Sequence, residues 1–302
     1  MHWLFSATSK QLYSMRSHLA LGLGSMLIAT VGILVKLIGS NAHFMTIMFC
    51  RVFFGAIFLF LTVPFIDKKA FRLTRKDVRD YFFAGVLWTL GAITYVWAFQ
   101  FAPVQNVVLL HSVYPFFVFI LAGPLLGEHL NRQKVIAASM AIAGIAVLNP
   151  FQPSAHTFGN SMALISAVLW ALVVVEMRKE NKGHNIGNVM WQFFFASLAL
   201  LPVPFAFGFG NWVQVWPFLL AIGFVSTGAA YLFYNFGLQR IEAEEASIIM
   251  TIINPVFSII LAFIVLSEAI AVETLIGGTI LVAAGIYLVV FGKNQKKAAS
   301  KI

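Results

Sequence analysis

Residues 111–130 read HSVYPFFVFILAGPLLGEHL, and residues 251–270 read TIINPVFSIILAFIVLSEAI. Aligned without gaps they agree at seven of twenty positions, with Pro115 over Pro255 and Glu128 over Glu268, at a constant offset of 140. The same offset pairs Pro64 with Pro204, and an offset of 139 lays YVWAFQ at 95–100 over YNFGLQ at 234–239. The chain is written twice, and its composition says in what solvent the two copies fold.

Of 302 residues, 60% are hydrophobic and only 10% are charged, with a mean hydropathy of +0.89. A soluble domain carries far more charge. A bilayer core about 30 Å thick takes roughly 20 apolar residues per helix and leaves no backbone group unpaired. The apolar runs here lack the two-residue alternation of a membrane barrel. They predict an all-α membrane protein with ten transmembrane helices, at 18–40, 43–66, 80–101, 103–126, 132–149, 157–177, 186–208, 214–238, 243–266 and 272–291.

Basic residues of short loops stay on the cytoplasmic side. With an inside N-terminus, the ten-span reading puts eighteen of the 20 Lys and Arg residues on that side, and leaves only Lys36 and Arg51 within spans. The opposite connections, such as SNAH at 40–43 and NPFQPSAHTFGN at 149–160, hold no Lys or Arg. Both termini are therefore expected in the cytoplasm, with the protein multi-pass in the inner membrane. The net charge of +9 reports topology and contact with anionic lipid, so nucleic acid is not an expected partner. The lone cysteine, Cys50, excludes an intrachain disulfide.

Five spans match five spans. Because five is odd, the second copy enters the membrane from the other side, and the repeat is inverted. Two equivalent halves facing opposite ways can exchange conformations, which turns an inward-open carrier into an outward-open one. The division expected is a cytoplasmic tail at 1–17, five-helix repeats at 18–150 and 157–291, and a basic cytoplasmic tail at 292–302.

With a Pro in the fourth span of each unit and LLGEHLNRQK or VLSEAIAVET at its end, the chain resembles the EamA-like family of the drug/metabolite transporter superfamily. The resemblance runs from about residue 18 to 291. It implies a cavity between the halves, spans five and ten at the periphery, and transport of a small metabolite. It also implies a structural role for the repeat-terminal acids Glu128 and Glu268, each read as accepting hydrogen bonds from the N-terminus of the helix that follows it. Relatives in the family carry amino acids, nucleosides, sugars and S-adenosylmethionine, so the resemblance leaves the substrate open.

The residues themselves point to where a substrate would sit. Arg51 lies near the centre of its span, where a charge costs at least about 2.5–3.5 kcal/mol, and no acid occupies the interior of another span to offset it. An anionic group on the substrate or backbone carbonyls could do so. Trp88 and Tyr95 share a face of span three, and Tyr231 and Tyr234 a face of span eight, offering flat surfaces with polar tips. His111, Tyr114, Thr251 and Asn254 add polar groups near mid-membrane. Pro115 and Pro255 are expected to break their helices, freeing the carbonyls of His111 and Thr251.

No intramembrane catalytic set, metal-ligand spacing or cofactor motif is present, which argues against an enzyme. A channel would need a filter or a ring of charges, and a non-transporting scaffold has no use for an inverted repeat. The expectation is a secondary transporter for an amino acid or nucleoside-like metabolite, working as an exporter. An uptake or exchange carrier for a ligand like S-adenosylmethionine or a nucleotide sugar is the alternative. The partners expected are that small molecule, membrane lipid, and a proton or counter-substrate; monomer and homodimer are equally open.

Overall fold

The computed structural model describes residues 2–127, 132–148, 155–179, 185–238, 241 and 243–299. Among them every regular element is helical. The first half comprises α1 (His2–Ile38), α2 (Phe44–Ile66), α3 (Arg75–Phe101), α4 (Val104–His111), α5 (Tyr114–Leu126) and α6 (Arg132–Leu148). The second half comprises α7 (Thr157–Lys179), α8 (Ile186–Ala199), α9 (Val203–Phe207), α10 (Trp212–Gly223), α11 (Ala230–Leu238), α12 (Ala243–Leu266) and α13 (Val272–Ala299). A π-helical segment, Phe224–Ala229, joins α10 to α11 without a break.

Local chemistry sets the boundaries. Thr74 and Asp77 form a reciprocal capping box that starts α3: the Asp77 N–H donates to Thr74 Oγ1 at 3.2 Å, and the Thr74 N–H to Asp77 Oδ2 at 2.9 Å. Asn185 caps α8 by accepting the Gly187 N–H at 2.9 Å. Gly127, at φ +70°, ends α5 in the left-handed region that glycine enters without steric cost.

Among the described residues, seven helical segments are long and apolar enough to cross a membrane: Met15–Asn41, Phe44–Ile66, Arg75–Phe101, Val104–Leu126, Thr157–Glu176, Trp212–Leu238 and Ile249–Leu266. Ile186–Ala199 and Val272–Leu288 are apolar but shorter. The expected continuous span at 186–208 is divided, because α8 ends at Ala199 and only the five-residue α9 follows the turn. Pro202 has no N–H to continue the helical ladder, which accounts for the stop. The run at 103–126 is likewise interrupted at Ser112–Val113, just ahead of Pro115, which takes a first-turn position of α5. Pro255, by contrast, lies inside an unbroken α12. The break expected at both prolines is thus present at one: α12 is tied to α1 one turn past its proline, where Ser258 Oγ donates to the Ala29 carbonyl at 3.1 Å.

The packing repeats itself across the two halves. Helix α1 lies against α11, and their counterparts α7 and α3 lie against each other. Helix α2 meets α8, α4 meets α12, and α6 meets α13, each a pair of counterparts. The α6–α13 contact is close because Gly144 faces Gly277: a Cβ on Gly144 would lie 2.8 Å from Leu281 Cγ and 3.1 Å from the Gly277 carbonyl oxygen. Small residues give lipid-immersed helices this approach. Polarity is arranged for lipid. Phe65 and its counterpart Phe205 are 88% and 87% exposed, while Ser25, Ser166, Ser226 and Thr227 are fully buried.

Candidate functional site

The first and second halves enclose a cavity with about 830 Å³ of empty space, its mouth included.

Helix α2 carries Arg51 to the cavity wall, α3 carries Trp88 and Tyr95, and α4 and α5 carry His111 and Tyr114. From the second half come Tyr231 and Tyr234 on α11, and Thr251 and Asn254 on α12. The nine residues singled out as substrate contacts are therefore brought together. Pro255 is also on the wall and Pro115 is not. His111 and Thr251, and likewise Tyr114 and Asn254, are counterparts at the 140 offset. Each half supplies the same helix position to the cavity, with different chemistry.

Arg51 is 4% exposed. Its Nε donates to Thr227 Oγ1 at 3.1 Å, and its guanidinium carbon lies 5.3 Å from the centre of the Trp88 ring. Thr227 in turn donates its hydroxyl to the Ile222 carbonyl, five residues back, at 2.8 Å. That spacing is available because the segment is π-helical. A hydrogen bond to a charged group contributes about 1.5–3 kcal/mol and a desolvated cation–π contact up to about 2 kcal/mol. Together they offset part of the cost of placing the charge there. The terminal guanidinium nitrogens have no acceptor among the described residues and are not sealed off by packing.

Aromatic rings make up much of the remaining wall. Trp88 Nε1 donates to the Tyr231 hydroxyl at 3.1 Å, and the Tyr231 and Tyr234 rings meet edge to face at 6.1 Å. His111 sits 4.4 Å from Tyr95 and 5.9 Å from Tyr114, centre to centre. Its Nδ1 lies 2.8 Å from Ser166 Oγ. The side chains of Thr251 and Asn254 have no hydrogen-bond partner among the described residues and are open to the cavity. Sequence reading missed Trp170 on α7, which lines the cavity 6.0 Å from His111. The criterion that selected Trp88, an aromatic residue with a polar tip deep in a span, would have found it. Thr227 and Ser166 were also missed, since a hydroxyl in an apolar run carries no signal until its partner is known.

Glu268 plays a different part from the one expected. Its Oε2 accepts the Val104 N–H at 2.9 Å, so it caps α4 of the first half and not the helix that follows it. Gln105 Nε2 reinforces the contact by donating to the Ala269 carbonyl at 2.8 Å. The N-terminus of α4 has Pro103 before it and no cap of its own, which leaves its N–H groups for a carboxylate from elsewhere. Burial pushes the Glu268 carboxyl above its ordinary value, against the opposing pull of Lys36, of the Val104 and Gln105 N–H groups, and of His156. Glu128, the other repeat-terminal acid, lies outside the described residues.

Contacts between the halves stand at both ends of the bundle. At the Glu268 end the Asn211 N–H donates to the Asn41 carbonyl at 2.7 Å, and His43 stacks on Phe207 at 4.2 Å. At the other end Tyr81 donates to Asn188 Oδ1 at 2.7 Å, and Trp191 Nε1 to the Ala70 carbonyl at 2.8 Å. Among the described residues no group of three or more His, Cys, Asp or Glu side chains is placed to hold a metal ion.

A cavity between two like halves, polar at a few points and aromatic or aliphatic elsewhere, is what a carrier presents to a small molecule, and the comparisons agree. The model of the EamA-like transporter family matches residues 15–149 and again 157–291. The chain is 26% identical to the pseudopaline exporter CntI of Pseudomonas aeruginosa over 272 residues, covering 88% of this chain and 93% of that one. It is 24% identical to an S-adenosylmethionine uptake transporter of Rickettsia bellii over 291 residues, covering 93% and 97%. A solved crystal structure with 17% sequence identity superposes with a TM-score of 0.64 over 92% of this chain, which speaks to the fold alone. These relatives are transporters and not enzymes. The chain is a membrane protein of the EamA-like transporter family, built from two copies of the family's unit.

Proposed function

We propose that the protein is a secondary transporter that moves a small organic metabolite across the inner membrane by alternating access. The substrate carries a carboxylate or other anionic group and an apolar or aromatic body, as an amino acid or nucleoside-like compound does. The observation that carries this reading is Arg51, a buried guanidinium held by Thr227 and Trp88 with its terminal nitrogens left for a ligand. The aromatic rings around it suit the body of such a ligand.

The mechanism follows from the repeat. Ten spans in two inverted five-helix units, 18–150 and 157–291, with both termini in the cytoplasm, keep eighteen of 20 basic residues on one side. The contacts between the halves at each end then act as two gates of opposite sense around the cavity, broken and remade in turn. Export is the direction we take. Uptake is the second reading, favoured by the similarity to S-adenosylmethionine uptake transporters.

Reconstitution in liposomes tests the proposal. A carrier shows saturable flux and trans-stimulation by the same metabolite inside. Unsaturable flux would make the protein a channel, and no flux across a metabolite library would make it a scaffold.

A further inference from the structure

We propose that His111 reads a hydrogen-bond donor on the substrate through an Nε2 lone pair that Ser166 keeps unprotonated. The inference rests on the cavity being the substrate site, and it adds the second half of the ligand's chemistry. Beside the anionic group for Arg51, the aromatic body carries an N–H or O–H.

The chain of reasoning starts at Ala163. Its carbonyl, on α7, accepts the Ser166 hydroxyl at 2.7 Å. A hydroxyl has a single proton to give. Ser166 is fully buried, so no solvent competes for that proton. The 2.8 Å contact with His111 Nδ1 allows either group to donate, and the proposal assigns the Ser166 proton to the Ala163 carbonyl, so that Ser166 Oγ accepts and Nδ1 carries the hydrogen. In the neutral imidazole the other nitrogen is then a bare acceptor.

Nε2 has no hydrogen-bond partner among the described residues, and the ring lines the cavity. Tyr95, Tyr114 and Trp170 hold the ring from three sides, at 4.4, 5.9 and 6.0 Å between centres. Among the described residues no Asp or Glu lines the cavity to partner an imidazolium. The site thus presents a cation for an anionic group and, separately, a fixed lone pair. A substrate carbonyl or ether facing Nε2 would meet lone pair with lone pair, whereas an indole, amide or hydroxyl hydrogen would bond. Sites built around a buried hydrogen bond discriminate strongly against analogues that lack it.

Two measurements on the full-length protein in lipid nanodiscs test this. The first is nitrogen-15 NMR of histidine-labelled protein, with the His111 signals identified by their loss in His111→Gln. Expected are a protonated Nδ1 and a bare Nε2 at neutral pH, with Ser166→Ala moving the ring towards the Nε2–H form. The second compares indole-3-acetate with 1-methylindole-3-acetate by calorimetry, since the two differ only at the N–H. Wild type should prefer the former by at least about tenfold, and His111→Phe should erase the preference. A protonated Nε2 in wild type, a tautomer unmoved by Ser166→Ala, equal affinity for the two probes, or binding of neither overturns the proposal. If Ser166→Ala does not fold, the wild-type tautomer and the probe comparison decide it alone. Equal affinity for both probes that is lost in Arg51→Gln would remove the His111 role while leaving the anion site standing.

Discussion

Trp88 and Thr227 are counterparts at the 139-residue offset that aligns the third span with the eighth, and both hold Arg51. Trp88 offers its ring face at 5.3 Å, and Thr227 accepts a hydrogen bond at 3.1 Å. The counterpart of Arg51 itself, at the 140 offset, is Trp191, which donates to the Ala70 carbonyl at one end of the bundle. The charge at the seam of the two halves is supplied by one half only, so whatever it binds is held asymmetrically.

Replacing Arg51 by Gln should therefore weaken anionic and zwitterionic ligands more than neutral analogues. Only the former lose a charge-assisted hydrogen bond, which contributes about 1.5–3 kcal/mol, or roughly ten- to a hundredfold in affinity. Calorimetric titration of matched charged and neutral ligands measures the difference. Equal losses would assign Arg51 to the fold.

The Glu268 carboxyl has its pKa raised by burial, so with respect to this group the folded protein is favoured while the carboxyl is protonated. That contribution is full below the ordinary carboxylate value and is lost as pH rises through the raised folded value. Glu268→Gln keeps an oxygen for the Val104 N–H and removes the charge, so thermal unfolding between pH 4 and 8 should depend less on pH than in wild type. Glu268→Ala leaves that N–H unpaired and should cost about 1–3 kcal/mol. A pH profile unchanged in Glu268→Gln would mean that other groups set the dependence.

The prolines should separate. Pro115→Ala restores an N–H at the interruption between α4 and α5 and invites one continuous helix, so it should slow exchange in liposomes while leaving insertion intact. Pro255→Ala lies in an unbroken helix and should have the smaller effect. Equal flux in the two variants would reduce Pro115 to a packing residue.

Topology can be mapped with single cysteines in a Cys50→Ala background. Positions 155–158 should react with a membrane-impermeant reagent in intact cells, and positions 68–79 should be protected. The reverse pattern would invert the placement of both termini.

Sequence alone determined the solvent, the helical class, the duplication and the identity of nine of the residues that gather at the cavity. It could do so because hydropathy, loop charge and a fixed offset are properties of residues in order, and because a charged or aromatic side chain deep in a span stands out against apolar neighbours. What it could not supply was partnership. That Thr227 receives Arg51 depends on a π-helical turn which gives its hydroxyl a carbonyl five residues back. That Ser166 orients His111, and that Glu268 caps α4 and not the helix beside it in sequence, depends on segments 55 and 164 residues apart being packed together. The unequal fates of Pro115 and Pro255 have the same origin. A proline removes one N–H wherever it stands, but whether the helix parts there is set by the neighbouring helices that hold the turns on either side, and those are chosen only by tertiary packing.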